Sequence, residues 1–463
     1  MESRMSDVLV IGAGPAGLHA ASRALDAGAE VTVLDAHDLV GGQFWRHLPD
    51  DRAAADEAQL HHGWKSFQQL RVRLEEHPRC RVLTGTEVWA IEPEEHGAAA
   101  RVHALSGPSG ALRREEVLLT PERLVLATGA HDRVLPFPGW DLPGVFSAGA
   151  AQALAKAERV AVGERVLVAG AGPFLLATAA SLIATGATVV GVHEAAGPSA
   201  LCRGWLSRPW ELASSARKLT ELAAYVTGHL RHRIPYVAGS AVIAAEGNGR
   251  VESVRVTRLD RDWRPVARTE RDIAVDAVAV SHGFTPRLEL AIAAGCAITA
   301  DRFVAVDARQ ATTVPGVYAA GELTGIGGMA LSAVEGAIAG LEAAGGVIPR
   351  QLLAERARQR AFAIRLERAH GIRPGWTDWL CDDTTICRCE DVPFGALSLT
   401  EGATQSLRAA KLSTRAGLGS CQGRTCGRTV EEILRQSPGL LGTTTTDQRP
   451  IAAPVRLGEF ARE

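Results

Sequence analysis

The sequence predicts an α/β fold with two parallel-sheet domains, followed by a small cysteine-rich module. Three observations carry this prediction. A strand, glycine turn, helix and strand follow one another at residues 7–36, a second unit of the same type recurs at residues 165–195, and four of the eight cysteines fall within residues 387–426. A chain of 463 residues is long enough for two or three domains, each with its own core.

Composition excludes several classes of function. A formal net charge of −2 gives no electrostatic reason to attract nucleic acid, so no nucleic-acid partner is expected. Residues 171–192 contain no charged side chain, but Pro173 and Gly186 interrupt them, so no transmembrane segment is expected. The N-terminal apolar run is typical of a buried strand rather than an export signal. Clustered cysteines are typical of metal sites in a reducing compartment. We therefore expect a cytoplasmic protein.

The first unit carries a dinucleotide-binding fingerprint. Gly12, Gly14 and Gly17 form GxGxxG between a strand and a helix, which is the context that this motif requires. The glycines allow a tight turn, a close approach of the backbone to a pyrophosphate, and close helix–strand packing. Asp35 follows the second strand, where its carboxylate can accept hydrogen bonds from a ribose diol.

Further glycine motifs favour FAD over NAD as the ligand of this unit. Gly42 and Gln43 supply backbone that can lie close to a flat ring, and a strand ends at Thr128 and Gly129. Gly321 and Glu322 place a second acid at a late strand end. These segments resemble flavoproteins with two dinucleotide-binding domains, of the glutathione-reductase-like type. The resemblance implies that Glu322, where Asp is usual, contacts the ribityl chain of the flavin.

The second fingerprint is altered. Gly170 and Gly172 are present, but Leu175 stands in place of the third glycine. Aligning Gly170 with Gly12 places His193 opposite Asp35 and Glu194 one position later, so the ribose-binding acid is expected to be displaced. The pattern leaves open whether this site binds NAD, another adenine nucleotide (ATP or ADP), or nothing.

The C-terminal cysteines predict a four-thiolate metal site at Cys387, Cys389, Cys421 and Cys426. Either a [2Fe-2S] cluster or zinc fits four thiolates, and the spacing is unusual for zinc, which commonly takes two CxxC-type pairs. The segment resembles the bacterioferritin-associated-ferredoxin-like [2Fe-2S] domain. It differs in its second pair, which has four intervening residues where the small ferredoxins have two.

Nearly the whole chain resembles the A, or alpha, subunit of hetero-oligomeric opine oxidases, D-hydroxyproline dehydrogenases and hydrogen cyanide synthase. The resemblance implies FAD, a [2Fe-2S] cluster and an electron-transfer role beside a partner flavoprotein of the glycine or sarcosine oxidase type. An electron acceptor and a small third subunit would complete the assembly. It also implies oxidation of the C–N bond of an amino acid, imino acid or opine on the partner. No acid or base catalyst is assigned in this chain.

The predicted organisation has five parts. They are an FAD-binding domain at residues 1–145 and 285–345, an inserted nucleotide-binding domain at 146–284, a helical linker at 346–373, the [2Fe-2S] domain at 374–440 and a tail at 441–463. The polar, proline-containing tail could lie across a partner. His61 and His62 are expected to form a solvated loop pair.

Two other functions remain open. One is a self-sufficient NADH-dependent reductase, and the other is a flavoprotein with a structural zinc or docking module.

Overall fold

The structure is a computed structural model that describes residues 6–52, 54, 57–93, 100–108, 111, 113–207, 227–398, 406–436, 445–449 and 451–460. The chain divides into two compact units. The first comprises Met1–His131, Pro286–Ala363 and Gln448–Glu463, and the second comprises Asp132–Thr285 and Ile364–Asp447. This division is coarser than the five predicted parts, whose boundaries remain a prediction.

The strands of the described residues are β1 (Val8–Ile11), β2 (Val31–Leu34), β3 (Cys80–Leu83), β4 (Thr86–Glu92), β5 (Arg101–Ser106), β6 (Glu115–Leu119), β7 (Arg123–Leu126), β8 (Ala130–Asp132), β9 (Val145–Ser147), β10 (Arg165–Gly170), β11 (Thr188–Glu194), β12 (Tyr236–Ala238), β13 (Ser240–Glu246), β14 (Ser253–Arg258), β15 (Arg271–Ala274), β16 (Ala277–Ser281), β17 (Phe284–Pro286), β18 (Val317–Ala319), β19 (Thr385–Cys387) and β20 (Val392–Pro393).

The α-helices of the same residues are α1 (Pro15–Asp26), α2 (Glu57–Leu60), α3 (Trp64–Glu75), α4 (Ala148–Ala153), α5 (Phe174–Ala184), α6 (Pro198–Leu206), α7 (Glu289–Ala293), α8 (Gly328–Ala343), α9 (Arg350–His370), α10 (Phe394–Ser398), α11 (Leu407–Thr414), α12 (Gly427–Gln436) and α13 (Leu457–Phe460). No helix in the described ranges is both long and apolar enough to cross a membrane.

A five-stranded parallel sheet forms the centre of the first unit, in the order β18-β7-β1-β2-β3. β1 reads VLVI and is buried along its whole length, as expected for a central strand covered on both faces. β18 comes from the late segment, so the sheet is completed only after the chain has passed through the second unit. The sequence predicted this discontinuity.

The second unit repeats the plan of the first. Its five parallel strands run in the order β12-β11-β10-β16-β9. Each unit also has a three-stranded antiparallel sheet, β4-β5-β6 in the first and β13-β14-β15 in the second. The predicted α/β class with two Rossmann-like parallel sheets is therefore confirmed.

Helices α1 and α8 pack in close contact because small residues face one another. A Cβ added to Gly336 would lie 2.0 Å from the Ala16 carbonyl oxygen, and one added to Gly340 would lie 2.0 Å from the Ala20 carbonyl oxygen. Spacing of four residues on both helices puts these contacts on one face. The pairing holds the start of α1, which carries the first fingerprint, against the late segment of the same unit.

The cysteine-bearing segment packs within the second unit. A 3-10 turn at Pro374–Trp379 opens it, as the sequence indicated, and the β19–β20 hairpin and helices α10 to α12 follow. Trp376, Trp379 and Ile386 share one core with Ala171 and Trp263 of the Rossmann-like part of this unit. The Nε1 of Trp379 donates to the Trp263 carbonyl oxygen at 2.9 Å. The segment is thus built into the second unit.

Residues 448–449 and 451–460 pack on the first unit. The Ala452 N–H donates to the Trp89 carbonyl oxygen of β4 at 2.7 Å, and Ala452 and Ala453 are buried. Glu459 forms a bidentate ion pair with Arg114. One carboxylate oxygen lies 3.1 Å from Arg114 Nε and the other lies 3.0 Å from a terminal guanidinium nitrogen. These contacts hold residues 448–449 and 451–460 to their own chain, and contact of the tail with a partner stays a prediction.

Candidate functional site

The first fingerprint has the geometry that its glycines predicted. Gly12 has φ +106°, and a Cβ there would lie 2.3 Å from the Ala127 carbonyl oxygen. A Cβ on Gly17 would lie 1.7 Å from the Gly12 carbonyl oxygen, so only glycine permits this packing of α1 on β1. Pro15 begins α1 directly after Gly14, whose φ is −78°. The helix N-terminus therefore follows the glycine turn, as a pyrophosphate site requires.

Asp35 closes the same turn from the end of β2. One carboxylate oxygen accepts the Ala13 N–H at 2.6 Å, and the other accepts the His37 N–H at 2.8 Å and lies 3.0 Å from His37 Nδ1. The side chain is 7% exposed. An acid held in this way at a second strand end is the usual partner of a ribose diol in dinucleotide folds.

The loop carrying Gly42 and Gln43 folds back onto the fingerprint. The Gly41 N–H donates to the Ala13 carbonyl oxygen at 2.8 Å, and a Cβ on Gly42 would lie 2.8 Å from the Gly14 Cα. Gln43 is exposed beside this contact. The structure thus brings the two glycine motifs of residues 12–17 and 41–43 together.

The strand end at Thr128 and Gly129 is tied to Arg287. The Thr128 hydroxyl donates to the Arg287 carbonyl oxygen at 3.0 Å, and the Arg287 N–H donates to the Gly129 carbonyl oxygen at 3.0 Å. Gly129 has φ +72°, and a Cβ there would meet no atom within 4 Å. The backbone at this strand end therefore borders open space.

Sequence reasoning missed two arginines in the first unit. Burial lowers the pKa of Arg46, the Asp35 carboxylate raises it and the Arg287 guanidinium lowers it further. Two half-buried guanidinium groups within electrostatic range of each other favour an anion between or beside them. The pyrophosphate of a dinucleotide is such an anion, so the residues fit FAD. Their only sequence signal is that Arg46 follows Gln43 by three residues.

The late Gly321–Glu322 turn is held from two sides. Gly321 has φ +78°, and a Cβ there would lie 2.8 Å from the Ala16 Cβ. The Glu322 carboxylate accepts the Gly328 N–H at 2.8 Å, at the first residue of α8. The structure thus sets the Gly321 backbone against the helix that carries the first fingerprint.

A buried acid that the sequence did not single out fixes this turn. Glu335 is fully buried, and one of its oxygens accepts the Gly321 N–H at 3.1 Å and the Thr324 hydroxyl at 2.6 Å. The other oxygen accepts from Arg360 of α9 at 2.8 Å, and Arg356 lies 3.7 Å away. Helical spacing in the linker predicted α9 but gave no signal for this ion pair.

In the second unit, a β-bulge in β11 places Glu194 at the strand-end position that Asp35 takes in the first unit. Counting residues from Gly170 had placed His193 there. Residues Val166 and Val189 pair, but Leu167 pairs with Gly191, so β11 carries one extra residue. Gly170 consequently pairs with Glu194, and His193 does not take the place of Asp35. The expectation of a displaced acid is wrong, because an alignment that counts residues does not register the bulge.

Glu194 is fully buried and engaged by its own chain. Its carboxylate accepts the Gly172 N–H at 2.9 Å and the Ala196 N–H at 2.8 Å. The Tyr236 hydroxyl lies 3.4 Å away, and His370 Nδ1 lies 3.2 Å away. Burial together with the neighbouring Glu194 carboxylate raises the pKa of Tyr236 far above its usual range.

His370 reaches Glu194 from the end of α9. Its Nε2 lies 3.3 Å from Trp205 Nε1, which donates to it, and its Nδ1 lies 3.2 Å from a Glu194 carboxylate oxygen. A Cβ on Gly204 would lie 2.4 Å from the Ala369 Cβ, which packs α6 tightly on this end of α9. The sequence had no signal for this arrangement, since His370 lies far from Glu194 along the chain.

The four predicted cysteine ligands converge. Hydrogen-bond contacts join Cys387 to Cys426, Cys426 to Cys421, and Cys421 to Cys389. The Cys426 thiol lowers the pKa of Cys387 to about 6 and that of Cys421 to about 4, and its own pKa is raised. Three contacts thus link the four thiols in series, and thiolate sulfur is the donor of four-thiolate metal centres. In the described ranges, however, no group of three or more His, Cys, Asp or Glu side chains is arranged so that it could hold a metal ion.

The loop that carries Cys387 and Cys389 contacts residues that precede the parallel sheet of the second unit. Arg388 stacks over the Trp140 ring at 5.1 Å, and the Trp140 indole donates to the Thr385 carbonyl oxygen. The Thr385 hydroxyl donates to Asp141 at 2.9 Å. These contacts fix the CxC loop from outside the cysteine segment.

His61 differs from its predicted place. It is 2% exposed, its Nε2 lies 3.0 Å from a Glu57 oxygen, and its ring stacks on Trp64 at 5.0 Å. His62 is exposed, as expected. The prediction of a solvated pair is wrong for His61 because α2 and α3 pack their side chains around it.

Known proteins are similar to this chain over nearly its whole length. The family model described as pyridine nucleotide-disulphide oxidoreductase matches residues 6–337. The A subunit of opine oxidase from Rhizobium meliloti is 32% identical over 98% of this chain and 87% of its own length. The HcnB subunit of hydrogen cyanide synthase from Pseudomonas aeruginosa is 29% identical over 93% of both chains.

Solved structures agree on the fold. L-Proline dehydrogenase from P. horikoshii superposes with a TM-score of 0.67 at 20% identity, covering 100% of this chain and 80% of that one. Thioredoxin reductase from T. acidophilum superposes with a TM-score of 0.53 at 22% identity, covering 74% of this chain and 99% of that one. The chain belongs to the pyridine nucleotide-disulphide oxidoreductase family, whose members are FAD-dependent oxidoreductases, and within it to the family of the opine oxidase A subunits.

Proposed function

We propose that this protein is the FAD- and [2Fe-2S]-containing electron-transfer subunit of a hetero-oligomeric dehydrogenase or oxidase that acts on the C–N bond of an amino acid, imino acid or opine. The observation that carries the proposal is the convergence of Cys387, Cys389, Cys421 and Cys426 on a segment joined to an FAD-type fold. None of the eight cysteines, which all lie in the described ranges, forms a disulfide, and this supports a reducing, cytoplasmic location.

The residues of the first unit define how FAD would be held. Asp35 would accept the ribose hydroxyls, the Gly12–Gly17 turn with Arg46 and Arg287 would hold the pyrophosphate, and Glu322 would face the ribityl chain. Bound FAD supplies two-electron chemistry, and a [2Fe-2S] cluster passes electrons singly. Glu335 and Arg360 hold the Gly321–Glu322 turn in place.

The names of the relatives support the proposal that this chain has partner subunits. The relatives that match over nearly their whole length are named as subunits, which implies that the complete enzymes contain other chains. We propose a second flavoprotein of the glycine or sarcosine oxidase type as the chain that oxidises the substrate. An electron acceptor and a small third subunit would complete the assembly.

A self-sufficient NADH-dependent reductase is less well supported. Its second nucleotide site would need Glu194 for the ribose, and that carboxylate is buried and already contacts Gly172, Ala196, Tyr236 and His370. An adenine nucleotide held as a structural element would face the same requirement. We therefore assign no hydride transfer to the second unit.

A structural zinc site is the third interpretation of the cysteines. Four thiolates are a common zinc donor set, and the contacts that link Cys387, Cys426, Cys421 and Cys389 fit zinc as well as a cluster. We favour the cluster because an FAD-type fold in the same chain supplies a redox partner and because the cysteine spacing is unusual for zinc.

Anaerobic reduction tests the proposal. The purified chain is mixed with NADH, and separately with its co-expressed flavoprotein partner plus L-proline, D-hydroxyproline, sarcosine or an opine. We expect flavin bleaching near 450 nm only when the partner and one of these amines are both present. Rapid bleaching of the chain alone by NADH would contradict the proposed role and establish the reductase.

A further inference from the structure

The four cysteine ligands differ in exposure. Cys387 and Cys426 keep 1% and 2% of their surface, whereas Cys421 is half-buried and Cys389 is exposed. The quartet therefore has an inner side, at Cys387 and Cys426, and an outer edge at Cys389. An outside electron carrier can approach the outer edge more closely than the inner side.

The hydrogen-bond donors to the sulfurs also differ. Cys387 accepts from backbone N–H groups, with that of Gly417 at 3.5 Å and those of Cys389 and Glu390 close by. Cys389 accepts from the Ser420 hydroxyl at 3.6 Å. Only proline would remove a backbone donor, and it would also change the backbone conformation, whereas Ser420→Ala removes the hydroxyl alone.

The loop before Ser420 is pressed against Cys389. A Cβ on Gly419 would lie 2.2 Å from the Cys389 Cβ, so only glycine allows this approach. The Cys389 ligand is itself in a loop fixed by Glu390, whose carboxylate accepts from Arg415 at 2.6 Å. The close approach of Gly419 thus places the backbone of the neighbouring Ser420 beside Cys389, within reach of the sulfur for its hydroxyl.

We propose that Ser420 is a positioning residue for the cluster, whose hydroxyl raises the reduction potential at the exposed Cys389 edge and so makes that edge the side that exchanges electrons with an external carrier. The inference rests on the proposed function, because it requires a [2Fe-2S] cluster on these four cysteines.

The physical reason is the charge of the reduced cluster. Reduction adds one electron and no proton, so the sulfur ligands become more negative. A hydroxyl donor stabilises that added charge more than it stabilises the oxidised cluster, and the potential rises. Removing the donor should lower the potential without changing the ligands or the iron content.

Redox titration of the full-length chain tests the proposal. The wild type and three variants, Ser420→Ala, Ser420→Thr and Ser413→Ala, are titrated anaerobically with dithionite, and the reduced cluster is followed by electron paramagnetic resonance. Ser413 is the matched control, since it is an exposed serine of the same segment whose hydroxyl donates to the Ala410 carbonyl oxygen at 3.1 Å.

Ser420→Ala is expected to make the cluster about tenfold harder to reduce, a fall of about 59 mV for a one-electron couple. Ser420→Thr keeps a hydroxyl and should retain the wild-type potential, as should Ser413→Ala. Full iron content with an unchanged potential in Ser420→Ala would overturn the inference alone. A wild-type chain that holds no iron would overturn the proposed function and the inference with it.

Discussion

Asp35 and Glu194 occupy equivalent strand-end positions in the two parallel sheets, but their surroundings differ. Asp35 accepts from Ala13 and His37 and has electrostatic contact with Arg46. Glu194 is covered by Tyr236 and by His370. Glu194 is therefore covered by two side chains of its own unit, and the role of Asp35 as an acceptor for a ribose diol stays a prediction.

Substitution of Asp35 should release FAD. An Asp35→Asn variant keeps the shape of the side chain but loses its negative charge. The carboxylate accepts the Ala13 and His37 N–H groups and is proposed to accept hydrogen bonds from the ribose diol. Hydrogen bonds to charged groups contribute about 1.5–3 kcal/mol, so FAD should dissociate at least about tenfold more readily. The FAD retained per chain after gel filtration measures this.

Asp38→Asn is the matched control, because Asp38 is an exposed acid three residues further along the same loop. It should retain FAD as the wild type does. Equal FAD retention by Asp35→Asn and the wild type would contradict the assigned role of Asp35.

At the scale of elements, the linker helix α9 stabilises the Gly321–Glu322 turn through Glu335 of α8. Its Arg360 and Arg356 meet the buried Glu335 of α8, and the same carboxylate holds Gly321 and Thr324. The sequence predicted the helix from its periodicity, but not this function, because a buried ion pair between residues 25 positions apart leaves no local pattern.

Glu335→Ala should be strongly destabilising, because it leaves the guanidinium of Arg360 and the Gly321 N–H without their acceptor. Loss of one partner of a buried ion pair costs about 3–5 kcal/mol. Arg358→Ala on the same helix removes an exposed pair with Glu355 and should cost less than about 1 kcal/mol. Thermal unfolding followed by circular dichroism compares the two, and equal midpoints would contradict the account.

The contact between α1 and α8 should not tolerate even one added methyl group. Gly340→Ala would place a Cβ 2.0 Å from the Ala20 carbonyl oxygen and force the helices apart, at a cost of about 1–3 kcal/mol. Gly228→Ala is the control, since a Cβ there meets no atom within 4 Å and the change should be neutral or slightly stabilising. Urea unfolding of both variants would reveal the difference, and a neutral Gly340→Ala would refute this packing.

Much of the architecture was predictable from the sequence, and what was missed has a physical cause. Glycine turns next to apolar strands identify Gly12 and Gly170 because both the motif and its context are local. The bulge of β11, which brings Glu194 opposite Gly170, depends on strand pairing and is not visible in residue counts. His370 and Arg287 reach their sites through tertiary packing, for which the sequence carries no local signal.

At the scale of the whole chain, residues 448–449 and 451–460 belong to the first unit, although they come last in the sequence. Arg114 lowers the pKa of Glu459 to about 2, from an ordinary value of about 4.5. A depressed pKa means that the stabilisation is complete above about pH 4.5 and is lost as the pH falls through about 2. Acid should therefore release this segment before the parallel sheets lose their hydrogen bonds.

Limited proteolysis at falling pH with pepsin checks this. We expect cleavage near residues 448–460 to rise between about pH 4.5 and 2 in the wild type. A Glu459→Gln variant lacks the charge at every pH and should already be cleaved readily at pH 4.5. Similar protection of both proteins at pH 4.5 would mean that the Arg114 pair does not hold the segment.

Metal and sulfide analysis of the purified full-length chain tests the central claim, that Cys387, Cys389, Cys421 and Cys426 hold a [2Fe-2S] cluster in an FAD-dependent oxidoreductase subunit. Protein prepared anaerobically should contain about two iron atoms and two acid-labile sulfides for each FAD, because one [2Fe-2S] cluster contains two of each. Stoichiometric zinc without labile sulfide, or a chain that binds neither metal, would contradict it.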